Sequence, residues 1–201
     1  DRASDLHLTS DGGYLINGFT QSFGSGNQDA WLLKADNNGN FVWNRTYGGA
    51  GDDRGLSVIE DSSNNIVSMA RIERVGETSG NISLIKRDSN GNLIWDRNYT
   101  TNDGNANGVV IESLDGDYAF ATTAKFSGNR DFLITKVNSN DGNSIWSNNF
   151  NLGGVDIARD VVQTSDGGYA ILGENELNSR DIWLVRTDSN GNHIWNMSYG
   201  N

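Results

Sequence analysis

Few side chains in this 201-residue chain have the types and spacing that chemistry needs. Asp52 and Asp53 adjoin, and glycoside hydrolysis asks for two positioned carboxyls. They recur at Asp1 and Asp156, one and two repeats away, and a position that belongs to the repeat is architectural before it is catalytic. Histidine occurs only as His7 and His193, which gives zinc or a histidine acid–base pair little support. His7 falls in the slot that Ile59, Ile111 and Val162 fill elsewhere, so a core or channel-lining role is the expectation. The segments 36–40, 88–92, 138–143 and 188–192 run as Asp-x-Asn-Gly-Asn or close to it, with oxygen ligands at alternating positions as a calcium loop has. They lack the distal bidentate Glu, and the same letters spell a β-turn in which Asp and Asn cap the backbone and Gly takes positive φ. The turn reading leads; calcium is the minor alternative, and no other cofactor is expected.

The elements that position these residues follow from a repeat. Residues 181–195 read DIWLVRTDSNGNHIW, and related stretches at 29–43, 81–95 and 131–146 end on Trp43, Trp95 and Trp146, as this one ends on Trp195. The period is close to fifty residues, which means stacked or radially arranged units. Each unit holds four short β-type segments bounded by Gly, Asn, Asp or Ser. In the first they are 4–9, 14–20, 30–35 and 41–47; in the second 56–60, 66–72, 82–87 and 93–99. The third gives 109–112, 118–124, 132–137 and 144–150, and the fourth 160–163, 169–173, 182–187 and 193–199. No amphipathic helical window is present. The expectation is an all-β four-bladed β-propeller with four antiparallel strands per blade, first strand innermost and fourth outermost. Residues 1–201 then form one domain, with blades at about 1–49, 50–101, 102–152 and 153–201.

Composition excludes several function classes. Cysteine and proline are absent, so there is no disulfide framework or thiolate metal site. The net charge of −11, with both signs scattered, argues against a nucleic-acid partner. No apolar run approaches the length of a membrane span, so no membrane insertion is expected. Asp1 where an initiator Met would stand reads as a processed or excised portion whose export signal is gone.

The run SDGGY…G…D-x-W-L…DSNGN…W…YGG resembles the tandem repeats of about fifty residues in secreted prokaryotic β-propeller proteins, and the likeness covers the whole chain. The Gly-x-x-x-Trp spacing of Gly39 to Trp43, Gly91 to Trp95, Gly142 to Trp146 and Gly191 to Trp195 is similar to the tryptophan-docking motif of quinoprotein-type propellers. That resemblance implies that Trp43, Trp95, Trp146 and Trp195 pack between neighbouring blades as structural anchors. It implies no quinoprotein activity, because propellers host many unrelated functions.

Four N-glycosylation sequons begin at Asn44, Asn81, Asn98 and Asn196. With 28 Asn, and Ser or Thr at 31 of 201 positions, four is what chance delivers. The placement of Asn44 and Asn196 just after the docking tryptophan carries more weight. For function, the sequence points to a non-catalytic extracellular or cell-surface module, not an enzyme. It would assemble with copies of itself, even into a filament, or with other cell-surface components. The alternative is a small-ligand or glycan-binding, lectin-like propeller. A ligand site should show as a departure from the repeat, and the main departures are 71–77 and 102–108.

Overall fold

A computed structural model describes residues 1–73, 80–103, 107–176 and 180–200. Parts of both departures from the repeat, 74–77 and 104–106, lie outside the described residues. Sixteen strands form four antiparallel sheets, each in simple up-and-down order, and these are the blades of a four-bladed β-propeller fold. Blade 1 comprises β1 (Arg2–Leu8), β2 (Tyr14–Thr20), β3 (Asp29–Ala35) and β4 (Phe41–Tyr47). Blade 2 comprises β5 (Arg54–Glu60), β6 (Ile66–Ile72), β7 (Asn81–Arg87) and β8 (Leu93–Thr100). Blade 3 comprises β9 (Gly108–Glu112), β10 (Tyr118–Phe126), β11 (Asn129–Val137) and β12 (Ser144–Phe150). Blade 4 comprises β13 (Asp156–Gln163), β14 (Tyr169–Asn175), β15 (Asp181–Thr187) and β16 (His193–Tyr199). The chain divides into two compact units, Asp1–Thr100 and Thr101–Asn201, of two blades each. Among the described residues no helix is long and apolar enough to cross a membrane.

Local chemistry sets the turns. Gly12, Gly116 and Gly167 hold φ near +80° in the first hairpin of blades 1, 3 and 4, and Asn64 takes φ +62° in blade 2, where glycine is replaced. In the last hairpins Asp36, Asp88 and Asp188 each accept two backbone N–H groups with Oδ1 and a side-chain amide with Oδ2. Both carboxylate oxygens are thereby engaged in closing the turn.

A cation from the third strand ties down each first hairpin. Lys34 pairs with Asp11 at 2.7 Å, Lys86 with Asp61 at 3.3 Å, Arg186 with Asp166 at 2.5 Å, and Lys136 with Asp115. Blade 2 reaches this arrangement by exchange: Asp61 stands at the Thr9 position and Ser63 at the Asp11 position, yet the lysine still meets a carboxylate.

Two features lie beyond the strand pattern. β1, β5 and β13 each carry a bulge, between Ala3 and Asp5, Gly55 and Ser57, and Ala158 and Asp160, so they begin two to four residues before the alternation becomes regular. β10 and β11 run on to a two-residue turn at Ser127 (φ +47°) and Gly128 (φ +98°), a pairing that suits a tight hairpin.

Candidate functional site

The residues picked out by type are mostly spent on architecture. Asp53 is wholly buried, and its carboxylate accepts the N–H of Gly49 at 2.5 Å and of Glu73 at 2.7 Å. Burial pushes its pKa up, the two N–H donors pull it back, and Asp29 and Glu73 nearby push it further up. Asp156 repeats this in unit 2, raised by burial, accepting from Leu152 N–H at 3.1 Å and from Asn175. Asp52 and Asp53 therefore do not form an accessible acid pair. His7 is half-buried in β1 opposite Leu15, and His193 is exposed, with Nε2 2.9 Å from the Asn196 amide.

The four tryptophans differ. Trp43 packs on the cluster of Leu15, Leu32, Val58 and Ile66, with the Arg45 guanidinium 5.2 Å from its ring. Trp146 meets Tyr169 edge-on at 5.6 Å. Trp95 is 6% exposed and Trp195 is 42% exposed. Trp195 departs from the expectation of a buried anchor: it lies on β16, whose residues are all exposed but for the half-buried Asn196. Of the sequon residues, Asn98 is exposed, while Asn44, Asn81 and Asn196 are half-buried.

What the strands bring together instead is a cleft between blades 1 and 2. Tyr47 of β4 and Ile72 and Ile85 of blade 2 form its apolar walls; Ser83, Asp96 and Asn98 supply its polar edge. Its volume is about 170 Å³. Register explains the grouping. Ser83 pairs with Asn98 and Ile85 with Asp96, so alternation turns Asp96 and Asn98 to one face. Ser83, nearly buried, donates its hydroxyl hydrogen to Asn98 Oδ1. Behind the wall, Tyr47 donates to Asn17 Oδ1 at 3.0 Å, and Asn17 donates in turn to the carbonyls of Ser57 and Met69. Burial pushes the Tyr47 phenol up to about 12. A larger groove of about 450 Å³ runs along β1 past Ala3, Asp5, Leu6 and Ile16, but it is wide open. Leu6 there is 63% exposed, where its counterparts Val58 and Val161, each packed against the preceding blade of its own unit, are 2% exposed.

Two positions around the cleft carry smaller residues in unit 1 than in unit 2: Ser83 on its lining, and Ala30, fully buried in the cluster that Tyr47 and Ile72 pack against. The register makes Ala30 the counterpart of Phe132, and Ser83 the counterpart of Trp183. In unit 2 those rings lie 4.5 Å apart, centroid to centroid, in a continuous core with Phe150, Ile171 and Val185. Sequence comparison of the repeats could have found Ser83, since its counterparts are Trp31, Leu133 and Trp183.

No protein-family model and no curated protein matches the chain. Solved structures do. Hydrazine synthase from Kuenenia stuttgartiensis is 13% identical with a TM-score of 0.62, over 94% of this chain and 52% of that one. The periplasmic gluconolactonase PpgL of Pseudomonas aeruginosa is 10% identical over 97% of this chain and 72% of that one, TM-score 0.48. A glycosyl hydrolase from Bacteroides ovatus is 9% identical over 98% and 70%, also at 0.48. The chain spans about half the length of the hydrazine synthase chain. These titles correct one expectation. A non-catalytic, self-assembling module was the expectation because the paired acids sit at repeat positions and histidine is scarce, and hydrazine synthase, which shares the fold at a TM-score of 0.62, is an enzyme. Acids at repeat positions are thus no ground for excluding catalysis. What the likeness establishes for this chain is the fold, a β-propeller.

Proposed function

We propose that the protein is an enzyme-type propeller acting on a small ring-shaped molecule, with the blade 1–blade 2 cleft as its substrate site. The observation that carries this is the paired loss of Phe132-type and Trp183-type rings at Ala30 and Ser83, which leaves a ring-sized space with a polar edge. A small cavity with apolar walls and a few convergent polar groups is the usual form of a ligand site. Among the described residues Asp96 is the one carboxylate on its lining, and it is the group placed to exchange a proton with a bound substrate. The fifty-residue repeat pattern supports placing the chain with secreted prokaryotic propellers, outside the cytoplasm or at the cell surface. Its run through the whole sequence supports treating 1–201 as one domain. The turn aspartates are assigned to turn closure rather than to calcium, since each already closes its own loop.

The test is a fragment screen by protein-observed NMR on the intact chain, followed by turnover assays on the fragments that bind. Shifts at Ser83, Ile85 and Asn98, abolished in Ser83→Trp, are expected. Saturating ring-sized fragments that leave these resonances unmoved would sink the reading.

A further inference from the structure

In unit 2 the counterpart of the cleft is filled, and the filler is an indole. Trp183 is 2% exposed, packs at a tilt against Phe132, and donates its ring N–H to Asn196 Oδ1 at 3.2 Å. In unit 1 the position of Trp183 belongs to Ser83, and the position of Asn196 belongs to Asp96: Val185 pairs with Asn196 as Ile85 pairs with Asp96. The blade that lacks the indole thus keeps the acceptor for its N–H and replaces a neutral amide by a carboxylate.

Resting on the reading of this cleft as the substrate site, we propose that it takes a planar nitrogen heterocycle of about indole size, whose ring N–H is donated to Asp96. The space of about 170 Å³ suits one such ring, since an apolar cavity of roughly 150 Å³ takes up benzene. Tyr47, Ile72 and Ile85 give it flat apolar contact, which an aromatic ring satisfies on both faces and a polyol does not. The carboxylate selects the edge. A charged acceptor makes the stronger hydrogen bond to a ring N–H, and a ring that presents only an acceptor there leaves Asp96 partly desolvated without a donor. Arg87 lies close enough to feel the charge of Asp96, so the cleft is not a bare anionic hole that would prefer any cation.

The experiment titrates the intact chain with indole, benzimidazole, benzofuran and glucose, following Ser83 and Asn98 by NMR. Indole and benzimidazole are expected to bind about tenfold tighter than benzofuran, which has the same shape without the N–H. Asp96→Asn should narrow that gap, and Ser83→Trp should abolish binding of every ring. Asp96 is exposed on an outer strand, so its variant keeps the test alive if Ser83→Trp does not fold. Equal affinity for indole and benzofuran, or binding of glucose alone, would overturn the heterocycle assignment while leaving the substrate cleft standing. Silence from all four ligands, in native chain and variants alike, would overturn both.

Discussion

The interface between blades 1 and 2 and that between blades 3 and 4 are built from the same strands in the same register, yet one is a core and the other holds a cleft. In unit 2, Phe132 lies over Gly173, which has no side chain to meet it, and against Trp183. In unit 1 the three counterparts are Ala30, Ala70 and Ser83. Polar substitution accompanies the loss of volume: Ser68 stands for Ile171 and Asn17 for Ala121. Beside the cleft, Leu15, Leu32, Val58 and Ile66 form one cluster and Ala30, Ala70 and Ile85 another, with Tyr47 touching both. A propeller interface tolerates this because the strands themselves are held by backbone pairing, so a missing ring costs packing energy without removing a hydrogen-bond ladder.

The comparison breaks first at Trp183. Trp183→Ala should destabilise the chain by about 3–5 kcal/mol, seen as a lowered urea midpoint, because its neighbours cannot collapse into an indole-sized void. The same change costs little at Ser83, where the void already exists. Next, Ala30→Phe should destabilise by about 1–3 kcal/mol, because the new ring meets the Cβ of Ala70 where Phe132 meets a glycine. Adding Ala70→Gly should recover most of that loss, and a double-mutant cycle measures the coupling; additive effects would show that the two interfaces are not equivalent.

A smaller effect sits in the polar network. Tyr47→Phe should cost about 1 kcal/mol, since Asn17 Oδ1 loses its donor. It should also change the alkaline limb. The phenol is raised from 10 to about 12, so the folded state holds its proton longer than the unfolded chain does. That contribution is complete below pH 10 and is lost as pH rises toward about 12, and the variant should lack the loss in thermal melts.

The smallest change is expected at Asp11, whose side chain is largely exposed. Its hydrogen bond from Lys34, then those from Thr9 and Gly13, hold its pKa below the usual carboxylate range. This stability is present above about pH 4 and lost below it, so the difference between native and Asp11→Asn melting temperatures should shrink toward zero in acid. Asp53 and Asp156, raised by burial, act with the opposite sign and weaken the fold as pH climbs above the ordinary carboxylate range.

Sixteen strands, their hairpins and their grouping in fours were legible in the sequence, because a strand's alternation and a turn's demand for Gly or Asn are satisfied within a few residues. β2, β4, β6, β12 and β16 match the pattern residue for residue. The first strands were read too short, since a bulge resets alternation and only the partner strand shows that pairing continues. The fates of individual side chains were decided at longer range. Whether Asp53 is an acid or a buried staple depends on Glu73, twenty residues on, whose N–H it accepts. Whether Ser83 is a polar accident or the floor of a cleft depends on Ala30 and Tyr47 in the preceding blade. Volume between two sheets is a sum over residues about fifty apart, and tertiary structure alone carries it out; the sequence by itself determined the blades, and their packing decided where one gap was left open.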